Sequence, residues 1–403
     1  MIILLKYFSE SEVFYVRYYI NAKIITPDEI IEGQAVATEN GKIVDITPVV
    51  PKTADCEIID CEGRYLSPGF ADIHVHGGGG YSAMGSPSDI VKMCTAHALR
   101  GTTSILPTTL AAPIEQLKRV IKNIEEAQKI CTDSNILGVH LEGPFISMKM
   151  KGAQSPENIL VPTRENISEL LDSSDIIKII GAAPEIENGF IVGEEAKKRG
   201  IVASVAHSDG DYSNTEEALS HGFSDVTHIY SACSGMRKIG IFRHAGVVEA
   251  GLSLDGYTTQ FIADLRHLPY GVLKLIHKAK GADKAYAISD GLEYSALDME
   301  EGTVILQENG LEVIYEDSVM KLSDRSCLAG SVATSNILVR NMVKTAGIPL
   351  TDAVKMASLT PLSVIGCDKE KGKIEKGYDE DIILFDDEIN VSFVSVKGKI
   401  IKS

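Results

Sequence analysis

The stretch that decides the fold is Gly69-Phe70-Ala71-Asp72-Ile73-His74-Val75-His76, an apolar run that ends on two histidines. Amphipathic stretches separate it from seven later apolar runs, and the clearest of these stretches, 114–130, has its apolar residues at helical spacing. The later runs lie at 102–107, 135–142, 176–182, 201–207, 225–229, 258–263 and 285–290. Eight buried strands that alternate with helices predict a (β/α)8 barrel of the TIM type.

A doubly wound parallel sheet is the main competing fold. It is disfavoured because no Gly-x-Gly-x-x-Gly follows the first run. Short β runs broken by turns fill both ends of the chain, which predicts a small β-sandwich domain built from the two ends. We therefore expect residues 1–66 and 367–403 to form the small β domain, and residues 67–366 to form the barrel.

Composition narrows the possible partners. The chain has 403 residues, with 39 Lys and Arg against 56 Asp and Glu, and a formal charge of −17. This charge repels nucleic acid and anionic membranes, so neither is expected as a partner, and an anionic substrate would need local donors. Seven scattered cysteines without a Cys-x-x-Cys pair predict a reducing, cytoplasmic location. The apolar start, Met1 to Leu5, is too short for a signal peptide. Residues 7–19 are either an extra edge strand or an upstream extension.

Polar residues end several of the apolar runs. His74 and His76 end the first run, Glu142 the third, His207 the fifth, and Asp290 the eighth; His228 lies near the end of the sixth. In a barrel, the carboxyl ends of the strands meet on the face that carries the chemistry. We therefore expect these six side chains to lie together.

The residue types in this set are those of a metal site. His74 and His76 share one face of a strand, so both imidazoles can point at one ion. Glu142, His207 and His228 make two histidines and one carboxylate, the ligand count of a catalytic divalent metal with an open position for water. Asp290 is suited to take a proton from water and deliver it to a leaving group. Taken singly, each residue also has an ordinary structural explanation, such as a turn at Asp290-Gly291.

Two further residues are candidates for substrate contact. His267 follows the seventh run, in a loop that faces the same end of the barrel. Arg243 lies in the loop after the sixth run, near Arg237 and Lys238, and forms part of a local positive patch in an acidic protein. This patch is either a solvated loop or a clamp for an anion.

The order of motifs resembles the amidohydrolase superfamily and, within it, the N-acetylglucosamine-6-phosphate deacetylases. The resemblance runs from about residue 20 to the end of the chain. Its most specific segment is His-Leu-Glu-Gly-Pro-Phe at 140–145. Other matching segments are 21–24, 68–77, 101–108, 183–185, 207–208, 227–230, 328–331, 358–361 and 377–381.

The resemblance implies hydrolysis of the 2-acetamido group of a sugar 6-phosphate, a step of amino-sugar catabolism, in a homodimer. Glu142, His207 and His228 would bind the principal metal, and His74 with His76 would complete a second site. One or two divalent ions per subunit are expected, and the donor set accepts Zn, Fe or Mn alike. Asp290 would be the general base and acid. The implied substrate contacts are Gln154, Ser231, Ala232, Arg243, His267 and Leu328.

The chain departs from the family pattern in three substrate-facing loops. Gln154 stands where the family has a histidine, and it has no proton to give. Ser231 replaces an asparagine, and His244 follows the retained Arg243 where a glutamate is usual. These changes leave open a related substrate such as N-acetylgalactosamine 6-phosphate, or another hydrolase reaction of the superfamily. A non-catalytic sensor or scaffold predicts lost ligands, and none is lost.

Overall fold

Eight parallel strands form the barrel of the computed structural model, which describes residues 16–49, 56–306, 312–325, 328 and 330–403. Neighbouring strands pair in chain order, and a bridge between Val75 and Gly291 brings the eighth segment back to the first. The predicted barrel is therefore confirmed, and the doubly wound sheet is excluded. The barrel strands are Phe70–Val75, Thr102–Thr109, Val139–Glu142, Ile177–Ala182, Val202–Val205, Phe223–Val226, Thr258–Phe261 and Ala285–Ala287.

Two details of the strand prediction were wrong. The run at 135–142 is two strands, Asn135–Ile136 and Val139–Glu142, because the chain turns at Gly138 with a φ of 147° that suits only glycine. The fifth, sixth and eighth barrel strands end two or three residues before His207, His228 and Asp290. These three residues lie in the turns that follow the strands.

Helices cover the outside of the barrel. Ile114–Ile130 is a helix as predicted, and Leu117, Val120, Ile121, Ile124 and Ala127 form its buried face. Within the described ranges, no helix combines the length and apolar character needed to cross a membrane. The α-helices are Pro87–Ala98, Ile114–Ile130, Arg164–Leu171, Gly189–Lys198, Tyr212–Ser220, Val247–Ser253, Tyr270–Lys280, Ser335–Arg340, Leu350–Met356 and Leu359–Val364. Shorter helical turns are Met148–Met150, Pro156–Asn158 and Asn341–Thr345.

Strands from both ends of the chain form two further sheets that fit a small sandwich. The first contains, in spatial order, Lys399–Lys402, Val391–Val396, Ile382–Phe385, Tyr65–Pro68, Lys23–Ile25 and Ile30–Ile31. The second contains Lys42–Thr47, Ala35–Glu39, Val16–Ile20 and Cys56–Asp60. Apolar residues of both sheets, such as Tyr19, Leu66 and Phe393, share one core. The domain boundaries given above stay a prediction.

The start of the small sandwich differs from the expectation. The chain is interrupted between the strands Val16–Ile20 and Lys23–Ile25 at Asn21, which adopts a φ of 55°. Val16–Ile20 pairs with Ala35–Glu39 on one side and with Cys56–Asp60 on the other, so it is an inner strand and not an edge strand. The rest of the segment at 7–19 lies outside the described residues.

Three small β elements decorate the barrel. Gly77–Gly78 pairs with Tyr81–Ser82, and Arg237–Ile239 pairs with Phe242–His244. We call the second pair, with its turn, the 237–244 hairpin. Val304–Leu306, Glu312–Glu316 and Val319–Leu322 form a three-stranded sheet after the eighth barrel strand.

A buried charge cluster joins the small sandwich to the barrel. The Lys371 ammonium lies 2.6 Å from Asp379 and 2.7 Å from Asp381, and its side chain is 8% exposed. Asn135 of the barrel donates to the same Asp381 carboxylate at 2.9 Å. Burial lowers the pKa of Lys371, but the two carboxylates outweigh it and raise the pKa above the ordinary lysine value. The cluster therefore holds its charges while fixing one domain against the other.

We expect Lys371→Met to lower the free energy of unfolding by about 3 kcal/mol, because it leaves the buried Asp381 carboxylate without its cation, whereas Asp379 keeps Lys42 at 2.6 Å. Urea denaturation followed by circular dichroism measures the change. The matched control is Lys369→Met, which makes the same substitution at an exposed position and should stay within about 0.5 kcal/mol. Equal effects of the two variants would contradict the role of the cluster.

Candidate metal centre

Four histidines and two carboxylates meet at the carboxyl end of the barrel. The first strand is buried throughout and carries His74, and His76 follows directly after the strand ends; the Nε2 atoms of the two histidines lie 3.3 Å apart. The predicted convergence is present in the structure: His207, His228, Glu142 and Asp290 all contact this pair or each other.

Glu142 lies at the centre of the cluster. Its Oε1 is 2.9 Å from His228 Nε2 and 3.2 Å from both His207 Nε2 and His74 Nε2. Its Oε2 is 3.4 Å from His76 Nε2. Burial alone would raise the pKa of Glu142, but His207 and His74 lower it well below the ordinary value. The carboxylate is therefore ionised, and it faces four imidazoles at once.

The second ring nitrogen of each histidine is fixed by an oxygen acceptor. His74 Nδ1 lies 2.9 Å from Gln260 Oε1, and the other three Nδ1 atoms face backbone carbonyls at 2.8–3.1 Å. Those carbonyls belong to Thr108 for His76, Met150 for His207 and Ser231 for His228. Where Nδ1 gives its proton to the oxygen, Nε2 is left free to bind a metal at the centre, which is how metal-binding histidines are oriented.

The backbone at three of these residues is strained. His207, His228 and Asp290 have φ values of 46°, 25° and 48°, in a region that residues other than glycine rarely adopt. Such strain is maintained only where the surroundings fix it, and it is concentrated at functional sites. At these positions, it turns the side chains inward directly after a strand ends.

Asp290 is the carboxylate of the cluster that solvent reaches. Its side chain is 22% exposed, against 3% for Glu142. Its Oδ1 lies 3.2 Å from His76 Nε2 and 3.4 Å from His74 Nε2. Burial raises the pKa of Asp290, but His76 and His74 lower it far below the ordinary value. An ionised, accessible carboxylate at this position can accept a proton from a bound reactant.

The donor set fits divalent metal. Two groups of three ligand atoms lie within 4.8 Å of one another: His74, Glu142 and His228, and His74, His76 and Asp290. Nitrogen and carboxylate donors turned inward from a buried, water-poor site are the ligands that Zn, Fe and Mn accept. His207 joins the first group through Glu142. The two groups share His74, and either could hold a divalent metal.

Gln154 was predicted to contact substrate, yet its amide is directed at Glu142. Gln154 Nε2 donates to Glu142 Oε2 at 2.6 Å, while Gln154 Oε1 accepts from the Ala111 backbone at 2.8 Å. The side chain is thus held at both ends, and the residue is 5% exposed. It also borders a cavity beside the metal centre, together with Ala153 and Ser155.

Some of the other predicted substrate residues contact the cluster, and others do not. The Ser231 and Ala232 carbonyls accept from His228 and from the Ser208 backbone, so both residues line the turn behind the cluster. His267 is held by Asp264 at 2.7 Å; burial lowers its pKa, but the carboxylates of Asp264 and Asp290 outweigh burial and raise the pKa above the ordinary value. Among the described residues, Arg243 and Leu328 form no hydrogen bond or ion pair with the cluster. Arg243 is exposed on the 237–244 hairpin, and Leu328 is 39% exposed.

Two supporting residues were missed by the sequence reasoning. Glu185 accepts from the Ser208 hydroxyl at 2.6 Å and from the Asp209 backbone at 2.7 Å, which fixes the turn that begins at His207. Gln260 orients His74 and donates to Asp225 at 2.7 Å. A signal existed for Glu185, because it belongs to the Ala-Pro-Glu segment at 183–185. Gln260 gave none, since a glutamine inside a strand predicts no contact.

Comparison with known proteins gives consistent matches over nearly the whole chain. The sequence profile of the amidohydrolase family matches residues 65–401. The N-acetylglucosamine-6-phosphate deacetylase of Bacillus subtilis (strain 168) is 30% identical over 384 residues, which cover 94% of this chain and 95% of the relative. The N-acetylgalactosamine-6-phosphate deacetylase of Escherichia coli O157:H7 is 26% identical over 381 residues, 94% and 97% of the two chains.

A solved structure matches the fold equally well. The crystal structure of N-acetylglucosamine-6-phosphate deacetylase from Pasteurella multocida superposes with a TM-score of 0.88 at 30% identity. The match covers 96% of this chain and all of that chain. The likeness therefore includes the small sandwich as well as the barrel.

Proposed function

The chain belongs to the amidohydrolase family, and on that premise we propose that it hydrolyses N-acetylglucosamine 6-phosphate to glucosamine 6-phosphate and acetate. The observation that carries this proposal is the inward convergence of four imidazole Nε2 atoms on Glu142, with Asp290 beside them. Relatives that bear this activity in their names match the chain from end to end. The reaction belongs to the breakdown of amino sugars.

In this proposal Glu142, His207 and His228 hold the principal metal, and His74 with His76 complete a second site. When bound, the metal polarises the amide carbonyl and lowers the pKa of water. The ion is Zn, Fe or Mn, with one or two per chain. Gln260 and the carbonyls behind the other histidines keep each Nε2 directed inward.

Asp290 moves the proton. As a carboxylate it takes a proton from the attacking water, and it then returns that proton to the amide nitrogen as the C–N bond breaks. The nitrogen leaves as an amine, and the acyl group leaves as acetate. Partial exposure of Asp290 lets it face the substrate, whereas Glu142 is enclosed by the histidines.

The sugar and its phosphate need donors outside the cluster. In this proposal His267, held by Asp264, donates to the sugar. Ser231, Ala232, Leu328 and Gln154 are the other residues that we assign to substrate contact. Arg243 is the cation that we assign to the phosphate, reached across the interface of a homodimer.

We expect Gln154→Leu to weaken metal binding by about tenfold or more, because residues that hydrogen-bond a ligand typically contribute 10- to 100-fold to metal affinity. Competition with a chromogenic chelator measures the affinity without reference to turnover. Gln116→Leu is the control, since it makes the same change in the wall of the neighbouring cavity. If Gln154→Leu binds metal with the affinity of the parent protein, the hydrogen bond from Gln154 to Glu142 does not contribute to metal binding.

The 237–244 hairpin supports the homodimer. Its turn exposes Ile241 by 80% and Phe242 by 68%, and Ile239 and Met236 are also largely exposed. Apolar side chains displayed in this way usually mark an interface. The base of the hairpin is tied to the site by an ion pair of Arg237 with Asp209, at 2.7 Å.

We expect the double variant Ile241→Glu with Phe242→Glu to be monomeric, because two charges replace the apolar contact. Light scattering after gel filtration should give twice the chain mass for the parent protein and a single chain mass for the variant. The control Leu275→Glu adds a charge at an exposed position on helix Tyr270–Lys280 and should stay dimeric. A monomeric parent protein would rule out the homodimer.

Acetate release from a panel of substrates tests the function. The panel contains N-acetylglucosamine 6-phosphate, N-acetylgalactosamine 6-phosphate and unphosphorylated N-acetylglucosamine. The proposal predicts the highest kcat/KM for the first compound and little turnover of the third. A clear preference for N-acetylgalactosamine 6-phosphate would change the proposed substrate but not the proposed reaction. No turnover of any compound would overturn the proposal. A cytoplasmic location stays a prediction from the cysteine pattern.

A further inference from the structure

A cavity of about 520 Å³ lies outside the metal centre, on the flank of the barrel. Its wall consists of the loop at 264–266, the segment at 296–298, helix Ser335–Arg340 and the end of strand Lys399–Lys402. None of the six residues of the metal centre borders it. Its volume falls within the roughly 300–1,000 Å³ of small-molecule sites.

Four cationic side chains from distant parts of the chain line this cavity: Arg100, Arg266, Arg340 and Lys402. Two acids line it as well. Asp298 pairs with Arg100 at 2.7 Å but is 91% exposed, so the pair is weak. Asp264 is occupied by His267 and by the Arg266 backbone. The lining thus carries two excess positive charges on a chain of net charge −17.

Two of the arginines are held by uncharged oxygens. Arg266 donates to the Asp317 carbonyl. Arg340 donates to the Glu388 carbonyl at 2.6 Å and to Asn390 Oδ1 at 2.9 Å. Within the part of the chain that the structure describes, neither guanidinium has a carboxylate partner. Asp317 lies within electrostatic range of Arg266, and Asp386 within range of Arg340, but neither carboxylate forms a close ion pair with its arginine. Both guanidinium groups are therefore held in place by neutral oxygens and can still pair with a bound anion.

A buried amide adds a neutral donor. Asn336 is 8% exposed and lines the cavity, and its Oδ1 accepts from Thr334 Oγ1 at 2.6 Å. Its Nδ2 has no acceptor among the residues described. The Nδ2 group is therefore a neutral donor available to an acceptor inside the cavity.

The charges also crowd one another. Burial lowers the pKa of Lys402, and the nearby Arg100 lowers it further. Like charges held close together raise the free energy of the empty cavity, and a bound anion relieves that repulsion.

We propose that this cavity binds a small phosphorylated metabolite, at a second site distinct from the metal centre. Guanidinium groups match phosphate oxygens in two-point contacts, and the cavity has room for more than a bare ion. The site would concentrate an anion against the net charge of the protein.

A ligand in the cavity can affect the metal centre through the loop that carries Asp264, Arg266 and His267. Arg266 lines the cavity, and the carboxylate of Asp264 beside it holds His267. A ligand that pulls on Arg266 therefore acts on the orientation of His267. We expect the KM of the deacetylation to change by about fivefold when the site is filled. This effect rests on the proposed function, whereas binding itself does not.

Isothermal titration of the metal-loaded full chain with glucose 6-phosphate tests the site, since that compound has no acetamide to cleave. Arg266→Glu and, separately, Arg340→Met should lower the affinity of one site by about tenfold, the loss expected for one charge-assisted contact. Arg243→Met should leave this site intact. Arg266 is exposed, so its variant should fold even if Arg340→Met does not.

Two outcomes would overturn the proposal. One is the absence of binding in the millimolar range. The other is a single site that Arg243→Met abolishes and that both cavity variants leave unchanged, which would place all binding at the deacetylation site. A loss of acetate release with intact binding at the cavity would reject the proposed function alone.

Discussion

Asp290→Asn is expected to lower kcat for acetate release by about 10³-fold while the bound metal stays at the parent level. An asparagine keeps the shape of the side chain but can neither take a proton from water nor return it to the amine. Proton transfer by a positioned side chain contributes typically 10²- to 10⁴-fold to a rate, so the loss should fall in that range.

Steady-state kinetics and metal analysis of the same preparation separate the two roles that the position of Asp290 allows. Asp283→Asn is the control, because it makes the same change seven residues earlier at a site that is 78% exposed. If kcat falls together with the metal content, Asp290 acts mainly as a ligand to the second ion. If Asp290→Asn has full activity, the proposed proton transfer is wrong.

Glu142→Gln should have an effect of similar or greater size through a different cause. It removes the charge that faces four imidazoles, and it replaces one of the two carboxylate oxygens by an amide nitrogen that does not bind a metal. We expect loss of the principal metal and a fall in turnover by at least about 10³-fold, to the level of chelator-treated protein.

Metal analysis and circular dichroism of the Glu142→Gln variant together distinguish a loss of metal from a loss of the fold. The fold should persist, because the core of the barrel lies below the cluster and does not depend on it. The control Glu187→Gln changes an exposed glutamate and should bind metal normally. A folded Glu142→Gln protein with parental metal content would contradict the assignment of Glu142 as a ligand.

The barrel could be predicted because its signal is local and repeated. Each strand is a buried apolar run, and helix Ile114–Ile130 carries its apolar residues at one spacing from end to end. The convergence of the site also followed from topology, since parallel strands of a barrel all end on one face. The prediction that His74 and His76 point to the same side followed from the two-residue period of an extended chain alone.

Details of the site could not be predicted because they depend on contacts distant in sequence. Nothing near Gln154 shows that its amide reaches Glu142, because the partner that orients it is the backbone of Ala111. The inward turn of His207 depends on Glu185, which belongs to another loop. The same holds for Lys371, whose partners become clear only when both domains are in place.

The charges at the proposed binding sites differ from the net charge of the chain. The metal centre and its surroundings attract an anionic substrate in spite of a charge of −17, through bound metal and His267 in our proposal. The flanking cavity concentrates a second set of cations away from that centre.

Reconstitution with metal tests the central claim most directly. The chain is stripped by a chelator, titrated with Zn or Mn, and assayed at each step for bound metal and for acetate released from N-acetylglucosamine 6-phosphate. We predict that activity is absent without metal and rises in proportion to the bound ion, reaching its plateau at one or two ions per chain. Full turnover by the stripped protein, or no acetate from the metal-saturated protein, would contradict the account.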